Sequence, residues 1–163
     1  MSLAIRPGTA ADASRIHELI RALAEYEREP QAVRISVDEL RSQLDSRRPP
    51  FECVIAEWLD ETAGFALFFP NYSTWRGRPG LYLEDLFVRP EYRGLGIGRE
   101  LLRHLARIAR ERGYARMEWS VLDWNTPAIG FYRKLGAIPM DGWTTFRLAD
   151  GPLTSLAQEE TEP

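Results

Sequence analysis

The spacing of apolar positions switches repeatedly between helical and strand periods, and the switches outline the fold. Residues 3–6 read as a short strand closed by Pro7-Gly8. Ile16, Leu19, Ile20 and Leu23 then recur at i, i+3, i+4 and i+7. This predicts an amphipathic helix over 10–26, with Thr9 as N-cap and Asp12 three residues on. Glu29-Pro30 ends it. Ser36 and Glu39 make a capping box for a second helix with Val37, Leu40 and Leu44 on its apolar face, and Pro49-Pro50 closes that unit. A β-rich middle follows at 52–58, 63–70 and 81–88, the first two joined as an antiparallel hairpin by Asp60-Glu61-Thr62. Leu101, Leu102, Leu105, Ile108 and Ala109 mark the inner face of a long helix over about 97–112, stopped by Gly113. Next come a strand at 116–122, a helix capped by Asn125 with Pro127 in its first turn and Gly136 at its end, and a last strand at 143–148. The acidic tail 158–163 is expected to fray.

This order predicts an α/β fold, a central mixed sheet with helices on both faces. There is no repeat or linker, and 163 residues fit one domain spanning 1–163. A chain of this size buries roughly 70% of its unfolded surface and needs no metal or disulfide to hold a core. The net charge of −3 argues against a nucleic-acid binder, which needs a basic face, and is too small to argue for a cationic substrate. Cys53, the single cysteine, sits in the apolar run Cys53-Val54-Ile55-Ala56 and reads as a small buried hydrophobe. Residues 1–7 lack the basic leader and apolar core of a signal peptide, and no apolar stretch reaches the roughly 18 residues of a membrane span. The expectation is a soluble, cytoplasmic protein. His17 and His104 have no acidic or thiol partners at ligand spacing, so no metal is expected.

The chemistry begins at Val88-Arg89-Pro90-Glu91-Tyr92-Arg93-Gly94-Leu95-Gly96-Ile97-Gly98, where an apolar strand runs through a tight glycine turn into a helix. Glycines at 94, 96 and 98 leave backbone N–H groups uncovered before a helix N-terminus, where the macrodipole is positive. That is a cradle for a pyrophosphate, and Arg93 can add a charged contact. A P-loop would end Gly-Lys-Ser/Thr, but this turn ends Gly98-Arg99-Glu100. In the dinucleotide fingerprint the third glycine falls one residue later. On its own the remaining Arg-x-x-Gly-x-Gly string is weak.

Taken with its strand and helix, the string resembles the acetyl-CoA motif of the GNAT N-acetyltransferase superfamily. The resemblance covers at least residues 3–148. Residues 81–88 (Leu-Tyr-Leu-Glu-Asp-Leu-Phe-Val), 121–125 (Val-Leu-Asp-Trp-Asn) and 131–137 (Phe-Tyr-Arg-Lys-Leu-Gly-Ala) are similar to the diamine branch, which acetylates spermidine, spermine and thialysine. It implies a GNAT fold and, as cosubstrate, acetyl-CoA. It also implies acetyl transfer to a primary amine of a small molecule by direct attack in a ternary complex, and a homodimer. The alternatives are a protein or peptide N-acetyltransferase and a non-catalytic CoA-binding module.

A primary ammonium has a pKa near 10.4, so presenting free amine at pH 7 costs roughly 4.6 kcal/mol. An enzyme must take that proton, stabilise an oxyanion and protonate the leaving thiolate. Glu84 interrupts an apolar strand and is the candidate base, directly or through water. In a regular pleat its neighbour Asp85 points to the opposite face. For both, a strand-edge salt bridge is the plain alternative. By resemblance, Tyr132 protonates the thiolate, though it also fits as a core aromatic. Leu86, Phe87 and Val88 are expected to pair with the pantetheine arm, and Gly94, Leu95, Gly96, Ile97, Gly98 and Arg99 to hold the pyrophosphate, with Asn125, Pro127 and Ala128 touching CoA. On the acceptor side the resemblance points to Tyr26 and Glu27. Trp75 can cover a cation, and Glu118 and Ser120 lie beside the groove. The polyamine enzymes carry an acidic residue shortly before this tryptophan. Here Ser73-Thr74-Trp75 is followed by Arg76 and Arg78, which disfavours a polycation and favours a shorter amine with its own carboxylate.

Overall fold

Each strand of the sheet lies beside its neighbour in sequence. The structure, a computed structural model, describes residues 2–159. The chain divides after Leu122 into two compact units. In the first, β1 (Leu3–Pro7), β2 (Glu52–Trp58), β3 (Glu61–Ser73) and β4 (Arg78–Val88) pair antiparallel in that order. A two-residue strand, β5 (Met117–Glu118), adds in parallel at Leu81 and Tyr82. The β2–β3 turn is tighter than the sequence reading put it. Leu59 and Asp60 alone span it, with φ of 50° and 66°, so β3 starts at Glu61. Two positive φ values are what a two-residue hairpin turn compatible with strand twist demands, and Asp tolerates the left-handed region.

Helices cover both faces of this sheet, as the element order predicts. A short 3-10 turn (Ala10–Asp12) leads into α1 (Ala13–Tyr26). The Asp12 carboxylate accepts from the Thr9 N–H at 2.9 Å and from both terminal nitrogens of Arg6, each at 2.9 Å. Those donors hold its pKa down at about 2. α2 (Val37–Leu44) has the expected capping box: Ser36 Oγ accepts from Glu39 N–H at 3.1 Å, and Glu39 accepts from Ser36 N–H at 2.8 Å. Ile16, Leu19 and Leu23 of α1 and Leu40 of α2 pack on Cys53, Ile55, Phe65, Leu67 and Phe87. Full burial of each large side chain contributes about 1.5–3 kcal/mol. The alternate residues Val54, Ala56 and Ala66 are also buried, on the face where α3 (Ile97–Glu111) packs with Ile97, Leu101 and Leu105 inward.

The second unit holds α4 (Thr126–Lys134) and α5 (Asp150–Gln158). Two expected strands change, one in each unit. The one at 116–122 shrinks to Met117–Glu118, and 143–148 forms no strand. Trp143-Thr144-Thr145-Phe146-Arg147-Leu148 has the composition of a strand, but Phe146 is 92% exposed. β-propensity is a preference for a half-buried pleated surface, and without a neighbouring strand it yields no ladder. Gln158 closes α5, and 160–163 lie outside the described residues. Among the described residues no helix is long and apolar enough to cross a membrane.

Candidate active site

The glycine turn forms the cradle that its spacing requires. Gly94 and Gly96 have φ of +80° and +79°, and a Cβ at either would meet nothing within 4 Å. Glycine is therefore needed there for backbone conformation, and the space beyond it is open. Gly96 is the N-cap of α3, so the N–H groups of Ile97, Gly98 and Arg99 are first-turn donors without helical acceptors. Leading into the turn, β4 keeps β3 on one edge. On the other edge β5 pairs only as far as Tyr82, so from Leu83 to Val88 that edge has no strand partner among the described residues. An extended chain bearing amides, such as pantetheine, matches such an edge.

Arg93 links this cradle to the end of α1. Its Nε donates to the Val88 carbonyl at 3.1 Å, and its guanidinium lies 5.0 Å from the Tyr26 ring centre and 5.6 Å from that of Phe87. The next residue after Tyr26, Glu27, is half-buried in a cleft of about 410 Å³.

Glu84 and Asp85 line the same cleft, which a regular pleat forbids. The pleat is broken. Leu67 of β3 pairs with Asp85 and the next residue, Phe68, pairs with Leu83, so Glu84 is the surplus residue of a β-bulge. The expectation that Asp85 faces away from Glu84 is overturned by this bulge. Burial of Asp85, then the charges of Glu84 and Glu27, push its pKa up to about 6. Glu27 is also raised, by burial first and then by Glu84. Three carboxylates around one cleft create a negative potential that attracts an ammonium, and a carboxylate near pH 6 can accept its proton. Ile20, Leu23 and Ala24 of α1 supply the apolar wall, and Arg34 lines the opposite polarity. Arg34 escaped the sequence reading, because an isolated arginine between Val33 and Ile35 carries no motif.

Other candidates lie elsewhere. The Glu118 carboxylate accepts from Arg116 Nε at 2.9 Å and Asn71 Nδ2 at 3.3 Å, and Ser120 Oγ lies 3.3 Å from the Tyr82 hydroxyl. Neither lines the cleft, nor does Trp75, 88% exposed on the β3–β4 hairpin. In the second unit Asn125 caps α4 by accepting from the Ala128 N–H at 3.4 Å, with Pro127 in the first turn. Tyr132 packs its ring 5.6 Å from that of Phe131.

Residues 14–137 match the model of the acetyltransferase (GNAT) family. The chain belongs to the GNAT acetyltransferases. This GNAT chain is 38% identical over 164 residues to a thialysine N-epsilon-acetyltransferase of Bos taurus, covering 94% of this chain and 96% of that one. It is 44% identical over 94 residues, 58% of this chain and 41% of the other, to an L-ornithine N5-acetyltransferase of Arabidopsis thaliana. Among solved structures, an integron cassette protein of V. cholerae superposes with a TM-score of 0.82 at 26% identity, covering 98% and 99% of the two chains. GNAT enzymes use acetyl-CoA as cosubstrate, and the open glycine cradle and the unpaired β4 edge fit its pyrophosphate and pantetheine.

Proposed function

We propose that this GNAT enzyme acetylates the side-chain amine of a small, lysine-like amino acid. The observation that carries the reading is the convergence of Glu27, Glu84 and Asp85 on one cleft, with Arg93 and Tyr26 joining that cleft to the cradle. The thialysine and ornithine enzymes among its relatives support an amino-acid substrate. The ammonium docks against the carboxylates and gives up a proton to Glu84 or its neighbour Asp85. The neutral nitrogen then attacks the thioester carbonyl of acetyl-CoA bound along β4, whose backbone N–H groups meet the oxyanion. The C–S bond breaks, the acetylated nitrogen releases its second proton to solvent, and Tyr132 gives the departing thiolate its proton and takes one back from solvent, a role that rests on the family resemblance. A panel of amines with acetyl-CoA, read by thiol release, tests this: lysine-like amino acids should lead the panel. If no amine releases thiol above background, the reading fails.

The same reading makes residues 1–163 one catalytic domain, supported by a family match that runs across the division at Leu122. It also makes the protein a cytoplasmic homodimer. The dimer is supported by the exposed apolar side chains Ile138, Met140 and Phe146.

A further inference from the structure

We propose that Arg34 fixes substrate choice by holding the α-carboxylate of the amino acid whose far amine is acetylated. This rests on the amine-acetylation reading above and adds the residue that separates amino acids from diamines.

Arg34 lines the same cleft as Glu27, Glu84 and Asp85. Among the described residues it makes no ion pair with them or with any other acid, and its side chain is exposed. A cation sharing a 410 Å³ cleft with three acids, yet bonded to none, gives the cleft groups of both signs. A zwitterion fills such a cleft with both ends paired, its ammonium at the carboxylates and its carboxylate at the guanidinium. Guanidinium and carboxylate match as planar, bidentate partners. A diamine of the same length would put its second ammonium against Arg34, and that repulsion discriminates as strongly as the attraction selects.

The segment is also held in place. A ring nitrogen of His17, on α1, lies 2.8 Å from the Ile35 carbonyl, immediately after Arg34. One residue further, Ser36 begins the capping box of α2. The backbone bearing Arg34 is thus tied to the helix that ends just before Glu27 and to the next helix. The backbone position of Arg34 at the cleft is therefore set by the fold rather than by a loose loop.

The test compares thialysine with its decarboxylated counterpart, bis(2-aminoethyl) sulfide, in wild type, Arg34→Gln and Arg34→Lys. Acetylated product is read by mass spectrometry and initial rates by thiol release. Wild type should prefer thialysine. Arg34→Gln should raise the KM for thialysine roughly ten- to hundredfold with kcat little changed, the mark of lost ground-state binding. It should leave the diamine unchanged or improved, and Arg34→Lys should recover part of the thialysine KM. Acetyl-CoA affinity by calorimetry should be the same in all three. Equal losses for both amines, or an unchanged thialysine KM in Arg34→Gln, would overturn the role of Arg34 and leave amine acetylation standing. A wild type that acetylates neither amine would overturn both.

Discussion

Asp85 sits where burial and two neighbouring carboxylates oppose its charge, so removing the charge should stabilise the fold by an amount that depends on pH. A rise from 3.8 to about 6 corresponds to on the order of 2–3 kcal/mol. The sign follows from where each state holds its proton. Below pH 3.8 Asp85 is protonated folded and unfolded, and its charge costs nothing. Between 3.8 and 6 the unfolded chain releases the proton while the folded chain keeps it, so folding loses stability as pH rises. Above 6 the full penalty is present and constant. Asp85→Asn keeps the shape without the titration. Its stability relative to wild type should be near zero at pH 3.5, grow through pH 4–6, and level off at on the order of 2–3 kcal/mol by pH 7.5. In a chain of this size that is roughly 5–10 °C in Tm. Urea denaturation at five pH values, without acetyl-CoA, measures it. An offset that is flat with pH would mean the substitution acts through packing alone. A variant less stable than wild type at pH 7.5 would refute the claim that the cleft strains Asp85.

Gly96→Val forces a branched side chain onto φ of +79° and fills the cradle, so acetyl-CoA should bind at least tenfold more weakly in a folded variant, measured by calorimetry. Tyr132→Phe removes only the phenol proton and should lower kcat by roughly 10²–10⁴ with acetyl-CoA affinity unchanged; a normal kcat would reduce Tyr132 to packing. Glu84→Gln should be most defective at pH 7 and recover as pH approaches the pKa of the amine, while a defect constant from pH 7 to 10 would make Glu84 a positioning group. Light scattering should show about twice 18.7 kDa, and a species at 18.7 kDa alone would count against the homodimer.

The parts of the site legible in the sequence are those whose causes are local. The capping box at Ser36, the helical stripe of α1 and the alternating glycines each follow from a few neighbouring residues, and each is where it was expected. Glu84 stood out because a carboxylate in an apolar strand needs a reason. The bulge did not, because register is decided between strands, and nothing in Leu83-Glu84-Asp85 alone says which residue β3 leaves unpaired. Arg34 was invisible for a similar reason: its meaning comes from acids 7, 50 and 51 residues away in sequence. Residues 143–148 failed the other way, a stretch with strand propensity that forms no strand.

The surplus residue in β4 has a genetic consequence. Phe68 already pairs with Leu83 and Leu67 with Asp85, so excising Glu84 would close the ladder without moving any other residue to a new partner. Phe87 and Leu83 would keep the faces on which they are buried. One in-frame codon loss would therefore straighten the strand and strip a carboxylate from the cleft while the core packing survives. One codon gain at the same point would restore it. Substitution cannot make that exchange, since it changes what a position carries and not how many positions there are. A single insertion or deletion at this point would thus alter the acidic cleft on a scaffold that folds either way.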